Sequence, residues 1–368
     1  MSEYFTAKEL LAAPAERAAF SDRQAYVCAE LSKLAYFKFE GGHTVDKAIE
    51  LVSQFIDDEG KLERLKTRLK GLFSSASSSK SEAEAVLKEI LSLAGFDLAK
   101  TFSVRGTQAF LCSRSLGEGA SHKLVGYLAF RGTERDFADI KTDIKASFIT
   151  EQLNGINTRV HEGYFDALKN VGEEIRDAVG EQRFDQLIIT GHSLGGALAI
   201  LYTRLHMNEV NGACYTFGAP PVGGVEFQYF LKTPVYQITN EVDIVPRLPS
   251  PFLVAIGRAF FYIFKFLIKI FGSLSRIVFS GKWDEWLVQR LDQLGKYRHP
   301  GYMSYLEGSG SESRLRYNVD SWDLMRWWAK VIGKRLLGFK KLAADHSIDV
   351  YSEKLKTHAY GRNPPAGD

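Results

Sequence analysis

The sequence contains little cysteine and almost no net charge. Its 368 residues include three cysteines (Cys28, Cys112 and Cys214), and its formal net charge at pH 7 is +3. An odd number of widely spaced cysteines, each among apolar residues, argues against a disulfide framework or a metal site and predicts buried free thiols. The small net charge and the lack of a long basic run argue against a nucleic-acid partner.

The first residues also lack the basic segment and apolar core of a Sec signal peptide. We therefore expect a cytoplasmic protein, one exported without a cleaved signal, or a peripheral membrane protein. The length suits one large α/β domain with insertions or two small domains. We predict a single domain over residues 1–368, with a helical insertion at 40–100 and an apolar helical cap or lid at 250–290.

The most informative stretch is Gly191-His192-Ser193-Leu194-Gly195. A β-branched run precedes it and a helix pattern rich in small residues follows it, which is the strand–turn–helix context of a nucleophile elbow. Such an elbow holds its serine in a strained turn, and its glycines allow the strand and helix to pass closely. Ser193 is therefore the predicted nucleophile; a glycine-rich turn that only tightens packing is the alternative.

Alternating elements around this elbow predict a mostly parallel sheet with helices on both faces. The predicted strands are Thr107–Ser113, Leu124–Phe130, Leu187–Thr190, Ala213–Phe217 and Val235–Thr239. The predicted helices are Asp22–Phe39, Asp46–Lys70, one opened by a capping box at Ser81–Glu84 and running to Leu93, Glu134–Phe148 and Glu162–Val179. Nothing in the helices before Leu93 is expected to carry chemistry.

A nucleophilic serine needs a base and an acid, which follow it in the chain order serine, acid, histidine. Asp243 comes directly after a predicted strand and is the preferred acid, with Glu241 as its local rival. His346 is the preferred base over the two other downstream histidines, His299 and His358. The alternatives are that Asp243 only caps a turn and that His346 is a surface or packing residue.

Two backbone N–H groups are expected to bind the oxyanion of a tetrahedral intermediate. Leu194 follows the nucleophile directly, and Thr133 follows the strand that ends at Phe130. The Thr133 N–H and hydroxyl could both serve, unless Arg131-Gly132-Thr133 is simply a turn.

These residues lie in motifs that together resemble the class 3 lipase family. The motifs are Phe130-Arg131-Gly132-Thr133, Val160-His161-Glu162-Gly163-Tyr164, the elbow with the following Gly196-Ala197-Leu198-Ala199, Phe217-Gly218-Ala219-Pro220-Pro221-Val222-Gly223, and Asn240 to Pro249. The resemblance implies an α/β-hydrolase fold, a Ser193–Asp243–His346 triad, an oxyanion hole from Thr133 and Leu194, and hydrolysis of lipid esters without a cofactor. It also implies a lid at Asp136–Phe148. The sequence departs from the family in its helical region at Asp46–Leu93 and in the insertion between Asp243 and His346.

That insertion includes the most apolar part of the chain, residues 252–279. Its four basic residues, Arg258, Lys265, Lys269 and Arg276, fall within roughly 20° of one line on a helix. Three charges near the middle of a membrane span would each cost about 3 kcal/mol, which argues against a simple transmembrane helix. In a helix that lies in a membrane or lipid-droplet surface, the apolar face contacts the lipid interior and the basic stripe contacts the headgroups. The alternatives are a cap packed on the core and a homo-oligomer contact.

The predicted function is a serine lipase or carboxylesterase, with triacylglycerol as the preferred substrate. A phospholipase A acting on membranes, a non-catalytic membrane-binding module of the same fold, and an esterase for polar esters are the rivals. The intact serine, aspartate and oxyanion positions argue against the non-catalytic membrane-binding module.

Overall fold

A mostly parallel sheet forms the centre of the molecule. The computed structural model describes residues 4–7, 11, 19–37, 46, 49, 59–72, 79–117, 122–132, 148–207, 211–248, 296–317, 321–336 and 344–362. The strands in these ranges are β1 (Asp97–Val104), β2 (Thr107–Leu116), β3 (Lys123–Phe130), β4 (Phe148–Leu153), β5 (Ile156–His161), β6 (Gln186–His192), β7 (Gly212–Phe217), β8 (Val235–Asn240), β9 (Tyr302–Glu307) and β10 (Arg314–Arg316). The helices are α1 (Asp22–Leu34), α2 (Glu59–Leu72), α3 (Lys80–Leu93), α4 (Glu162–Lys169), α5 (Gly172–Gln182), α6 (Leu194–His206), α7 (Ser321–Leu336) and α8 (Ile348–Arg362).

Eight of these strands form one sheet in the order β1-β2-β3-β6-β7-β8-β9-β10, and β4 pairs with β5 separately. Pairing is parallel from β3 through β6, β7 and β8 to β9, whereas β1, β2 and β10 add antiparallel edges. The carboxyl ends of the central parallel strands therefore meet at one edge of the sheet, where α/β proteins place their ligand sites.

Both faces of the sheet are covered, as the strand β6 illustrates. Ile188 faces a core shared with α1, α3 and α8, whereas Leu187 and Ile189 face a core shared with α4, α5 and α6. Successive strand residues point to opposite faces, so a strand buried on both sides must be apolar throughout. The predicted fold class, a mostly parallel sheet with helices on both faces, is confirmed.

Helix α1 begins where the sequence predicted and ends five residues earlier than expected. Ser21 caps its start by accepting a hydrogen bond from the Gln24 N–H at 3.3 Å. The helix is almost wholly buried, because it lies between the sheet and α8. The Ser32 and Thr190 hydroxyls meet at 2.8 Å, which fixes α1 to the strand that carries the elbow.

Helix α3 is present, but its predicted capping box at Ser81–Glu84 is wrong. Ser79 is the cap: its hydroxyl accepts from the Glu82 N–H at 3.4 Å, and the Glu82 carboxylate accepts from the Ser79 N–H at 2.5 Å. Both Ser79 and Ser81 have a glutamate three residues later, and the earlier serine allows the longer helix.

Two hairpins were missed by the sequence analysis. Strands β1 and β2 are joined by Arg105 and Gly106 at φ 49° and 85°, so the sheet begins before the first predicted strand. Strands β4 and β5 are joined by Asn154 and Gly155 at φ 53° and 77°. Asn-Gly is the preferred pair for such a turn, because both residues tolerate positive φ. Phe148, predicted to end a helix, is therefore the first residue of β4.

The predicted helix Glu162–Val179 is two helices, α4 and α5, with Asn170 and Val171 between them. Asn170, Val171 and Gly172 all have low helix propensity, which explains the break. The prediction for the thiols is confirmed, since Cys28, Cys112 and Cys214 are free and buried.

Several predicted elements lie outside the described residues. These are most of 46–58, the span 133–147 that includes most of the predicted lid, and all of the apolar segment 252–279. None of the helices in the described ranges combines the length and apolar character needed to cross a membrane.

Candidate active site

Ser193 occupies the sharp turn between β6 and α6. Its φ of 56° and ψ of −126° place a non-glycine residue in a strained conformation. The Ser193 N–H donates to the Phe217 carbonyl at 2.9 Å on the neighbouring strand, which holds the turn in place. Its side chain makes no capping bond to α6, so the hydroxyl is left for other partners.

Glycine is required on both sides of this serine. A Cβ on Gly191 would lie 2.2 Å from the Gly195 carbonyl oxygen, and a Cβ on Gly195 would lie 2.3 Å from the Phe130 carbonyl oxygen. Both contacts are with backbone atoms, which cannot move aside cheaply. The close crossing of strand and helix that the G-x-S-x-G spacing predicted is therefore present.

The structure brings Ser193, His346 and Asp243 into one hydrogen-bonded row. The His346 Nε2 lies 2.9 Å from the Ser193 Oγ, and its Nδ1 lies 2.8 Å from the Asp243 Oδ2. All three side chains are buried. A carboxylate only accepts hydrogen bonds, so Nδ1 carries the proton and Nε2 accepts from the serine hydroxyl. This arrangement suits proton abstraction from Ser193.

The topology explains why these three residues meet. Asp243 follows β8, Ser193 follows β6, and His346 precedes α8, which packs against α1, β9 and β10. The two strands are parallel neighbours of β7, so their carboxyl ends lie side by side.

The rejected candidates have other partners. The Glu241 carboxylate pairs with Lys330 at 3.0 Å. The His299 ring nitrogens lie 2.8 Å from the Gln237 side-chain oxygen and 2.6 Å from the Pro246 carbonyl, and burial lowers the pKa of His299 to about 4. The His358 Nδ1 accepts from the Leu315 N–H at 3.3 Å. Among these four candidates only His346 contacts the nucleophile.

Asp243 is held by two further donors, one of which the sequence analysis missed. Its Oδ1 accepts from the Val245 N–H at 2.9 Å, and its Oδ2 accepts from the Tyr351 hydroxyl at 2.6 Å. The Tyr351 oxygen in turn accepts from the Asn240 N–H at 2.9 Å. Burial and the Asp243 charge raise the pKa of Tyr351 well above its ordinary value, so the hydroxyl stays a donor. Tyr351 has no sequence motif that would identify this contact.

Of the two predicted oxyanion donors, Leu194 lies within the described residues and Thr133 does not. Leu194 is the first residue of α6, so its N–H belongs to the turn whose N–H groups have no acceptor within the helix. Thr133 lies outside the described residues. The chain leading to it passes against the elbow, because a Cβ on Gly132 would lie 2.6 Å from the His192 carbonyl oxygen.

A strained serine, a buried histidine and a buried carboxylate at the carboxyl end of a mostly parallel sheet define an α/β-hydrolase. Within the described ranges no three His, Cys, Asp or Glu side chains are grouped so as to hold a metal ion. The model for "lipase (class 3)" matches residues 127–253, which include the elbow and Asp243. Residues 127–253 of the chain thus match the class 3 lipase family.

The matches to individual proteins are partial. The chain is 33% identical to a lipase from Rhizopus niveus over 136 residues, covering 33% of this chain and 34% of that protein. It is 34% identical to a lipase from Rhizomucor miehei over 168 residues, covering 41% and 44%. The solved propeptide complex of native Rhizomucor miehei lipase covers 70% of both chains at 21% identity, with a TM-score of 0.44. A chloroplastic phospholipase A1 of Arabidopsis thaliana is 29% identical over 133 residues, covering 33% and 24%. The chain thus spans less than half the length of each of these three curated relatives.

Proposed function

We propose that this protein is a serine lipase that hydrolyses carboxylic esters of lipids, with triacylglycerol as its preferred substrate. The observation that carries the proposal is the row Ser193–His346–Asp243, joined by contacts of 2.9 and 2.8 Å on a strained elbow.

The first half of the reaction forms an acyl-enzyme. The Ser193 oxygen attacks the ester carbonyl carbon while its proton passes to the His346 Nε2. The Leu194 N–H and Thr133 bind the oxyanion, and each such donor is typically worth about 3 kcal/mol in the transition state. When the carbonyl re-forms, the ester C–O bond breaks and His346 protonates the departing alcohol. Asp243 remains ionised and stabilises the imidazolium that forms in between.

The second half releases the acid. Water gives a proton to the His346 Nε2 and attacks the acyl carbon, and the oxyanion forms again at the same donors. The bond to Ser193 then breaks, and His346 returns the proton to the serine oxygen. The products are the fatty acid and the resting triad, with no net change in the enzyme.

Two kinds of observation support a lipid ester as substrate. Relatives from Rhizopus and Rhizomucor are named lipases. The sequence of segment 252–279 is apolar with one basic stripe, a pattern that suits a helix at a lipid surface. We place the protein at such a surface as a peripheral protein, with this segment or the lid at 136–148 shielding the acyl chain.

Phospholipase A activity is the second candidate, and two observations favour it. A relative named phospholipase A1 matches 33% of this chain, and the same triad would cleave a phospholipid acyl ester. A basic stripe would also attract an anionic membrane. A non-catalytic membrane-binding module is disfavoured by the assembled triad.

The test compares two substrates across their aggregation thresholds. Long-chain triacylglycerol and a phospholipid are each titrated from monomer to aggregate with wild type, Ser193→Ala and the control Ser92→Ala, which alters an exposed serine on α3. We expect hydrolysis that depends on Ser193 and rises once aggregates form, with triacylglycerol preferred. A preference for phospholipid would favour the second candidate. No hydrolysis by wild type, or equal hydrolysis by Ser193→Ala, would overturn the proposal.

A further inference from the structure

The residue before the nucleophile, His192, is a buried side chain whose two ring nitrogens both have partners. Its Nε2 lies 2.6 Å from the backbone carbonyl oxygen of His346, and its Nδ1 lies 2.8 Å from the Tyr36 hydroxyl. The side chain thus spans from the end of α1 to the segment that carries the triad histidine. The mechanism above gives it no role.

The two partners determine where the proton sits. A carbonyl oxygen only accepts, so the His192 Nε2 carries a proton and donates to His346. Burial, together with the neighbouring His346, holds the pKa of His192 well below its ordinary value, so the ring is neutral. Its Nδ1 then accepts from the Tyr36 hydroxyl. His192 therefore contributes a hydrogen-bond donor without adding a positive charge next to His346, whose ring centroid lies 4.6 Å away.

Tyr36 is itself in a fixed position. It follows α1, which is anchored to β6 by the contact between Ser32 and Thr190, and the Thr190 hydroxyl also donates to the Cys28 carbonyl at 3.1 Å. A Cβ on Gly132 would lie 2.1 Å from the Tyr36 hydroxyl oxygen. Tyr36 therefore touches the backbone just before Thr133, the predicted oxyanion donor, as well as His192.

The segment that carries His346 is held at two successive carbonyls. The Asn240 side chain donates to the Asp345 carbonyl at 2.9 Å, and His192 donates to the His346 carbonyl. His192 and Ser193 are adjacent in the chain, so the second bond ties the backbone of the base directly to that of the nucleophile. Such a bond constrains the distance between the His346 Nε2 and the Ser193 Oγ.

We infer that His192 and Tyr36 are positioning residues: the hydrogen bond from His192 to the His346 backbone, supported by Tyr36, holds the general base in line with Ser193. The inference rests on the proposed function, because it concerns the same reaction. It predicts that a variant without an N–H at the position of the His192 Nε2 loses kcat without losing substrate affinity.

The test uses two amides that place their N–H at different points. A glutamine at 192 carries its side-chain N–H near the position of Nε2, whereas an asparagine carries it near Nδ1. We expect His192→Gln to keep kcat within about fivefold of wild type and His192→Asn to lose about 100-fold, with KM unchanged within about twofold, since misplacing a catalytic group by about 1 Å can cost that much. Tyr36→Phe removes the hydroxyl that donates to the His192 Nδ1 and is expected to lower kcat about tenfold.

The assay is hydrolysis of a soluble short-chain nitrophenyl ester, with thermal unfolding measured on every variant. His206→Gln, on the far end of α6, and Tyr317→Phe, at a half-exposed tyrosine, are matched controls. Equal kcat losses in His192→Gln and His192→Asn, or wild-type kcat in His192→Asn, would overturn the inference. Losses of kcat that only follow the unfolding temperature, as shown by the controls, would also overturn it. Failure of the proposed function is distinguishable, because wild type and Ser193→Ala would then be equally inactive.

Discussion

Replacing Tyr351 with phenylalanine removes the hydroxyl oxygen that contacts Asp243 and leaves the ring in place. That oxygen donates to the Asp243 Oδ2 at 2.6 Å and accepts from the Asn240 N–H at 2.9 Å, in a fully buried setting. A hydrogen bond to a charged group contributes about 1.5–3 kcal/mol, and a buried N–H left without an acceptor costs about 1–3 kcal/mol. We therefore expect Tyr351→Phe to lower the free energy of unfolding by about 3 kcal/mol.

The effect on catalysis should be smaller than that of losing the carboxylate itself. In Tyr351→Phe, Asp243 keeps its contacts with the Val245 N–H and with His346. We expect kcat to fall about tenfold, compared with about 10⁴-fold for a carboxylate-to-amide change at Asp243, which would favour the wrong histidine tautomer.

Chemical denaturation and ester hydrolysis are measured on Tyr351→Phe and on Tyr26→Phe. Tyr26 is equally buried, and its hydroxyl accepts from the Ala7 N–H at 3.2 Å, away from Asp243. The control should lose stability and keep kcat. If Tyr351→Phe loses stability and keeps full kcat, Tyr351 is only a packing residue and the reasoning about Asp243 is refuted.

Three further predictions concern the elbow, an ion pair and the thiols. In chemical denaturation, Gly191→Ala should destabilise the fold by about 3 kcal/mol or more, because its Cβ would lie 2.2 Å from a backbone oxygen. The control Gly180→Ala, on an open part of α5, should be neutral or stabilising by up to about 1 kcal/mol. Equal effects of the two substitutions would contradict the account. Hydrogen bonds from Arg159 lower the pKa of Glu226 from 4.5 to about 2, so its ionised form stabilises the fold above about pH 4.5 and this stabilisation is lost as the pH falls toward 2. Unfolding temperatures should therefore show Glu226→Gln less stable than wild type at pH 7, with the difference shrinking toward pH 2; a difference independent of pH would exclude this role. Burial raises the pKa of the Cys28 and Cys214 thiols to about 12, so a thiol reagent should modify no cysteine in the native protein and all three after denaturation; rapid native labelling would show that a thiol is accessible.

Local steric requirements could be read from the sequence. The elbow needs Gly191 and Gly195 within five consecutive residues, so the motif and its strand–helix context identify it without knowledge of distant contacts. Asp243 was found for a similar reason, since it lies three residues after the strand that ends at Asn240. The two hairpin turns were equally local, and the Asn154-Gly155 pair could have indicated the second one.

Contacts between distant segments could not be read in the same way. Tyr351 reaches Asp243, and Tyr36 reaches His192, across 108 and 156 positions of the chain, and neither tyrosine lies in a recognisable pattern. The expectation that the helices before Leu93 carry no chemistry missed how α1 places Tyr36 against the elbow. His346 was chosen among three histidines by its surroundings. The structure places it next to Ser193 because α8 packs against α1 and because Asn240 and His192 hold the carbonyls of Asp345 and His346.

The central claim is that Ser193 is a nucleophile activated by His346. It is tested most directly by reaction with a fluorophosphonate, followed by mass spectrometry of the labelled peptide. We expect one adduct, on Ser193, that is absent in Ser193→Ala and forms about 10³-fold or more slowly in His346→Ala, while the control Ser92→Ala labels like wild type. No adduct on the wild-type protein, or an adduct that persists in Ser193→Ala, would contradict the account.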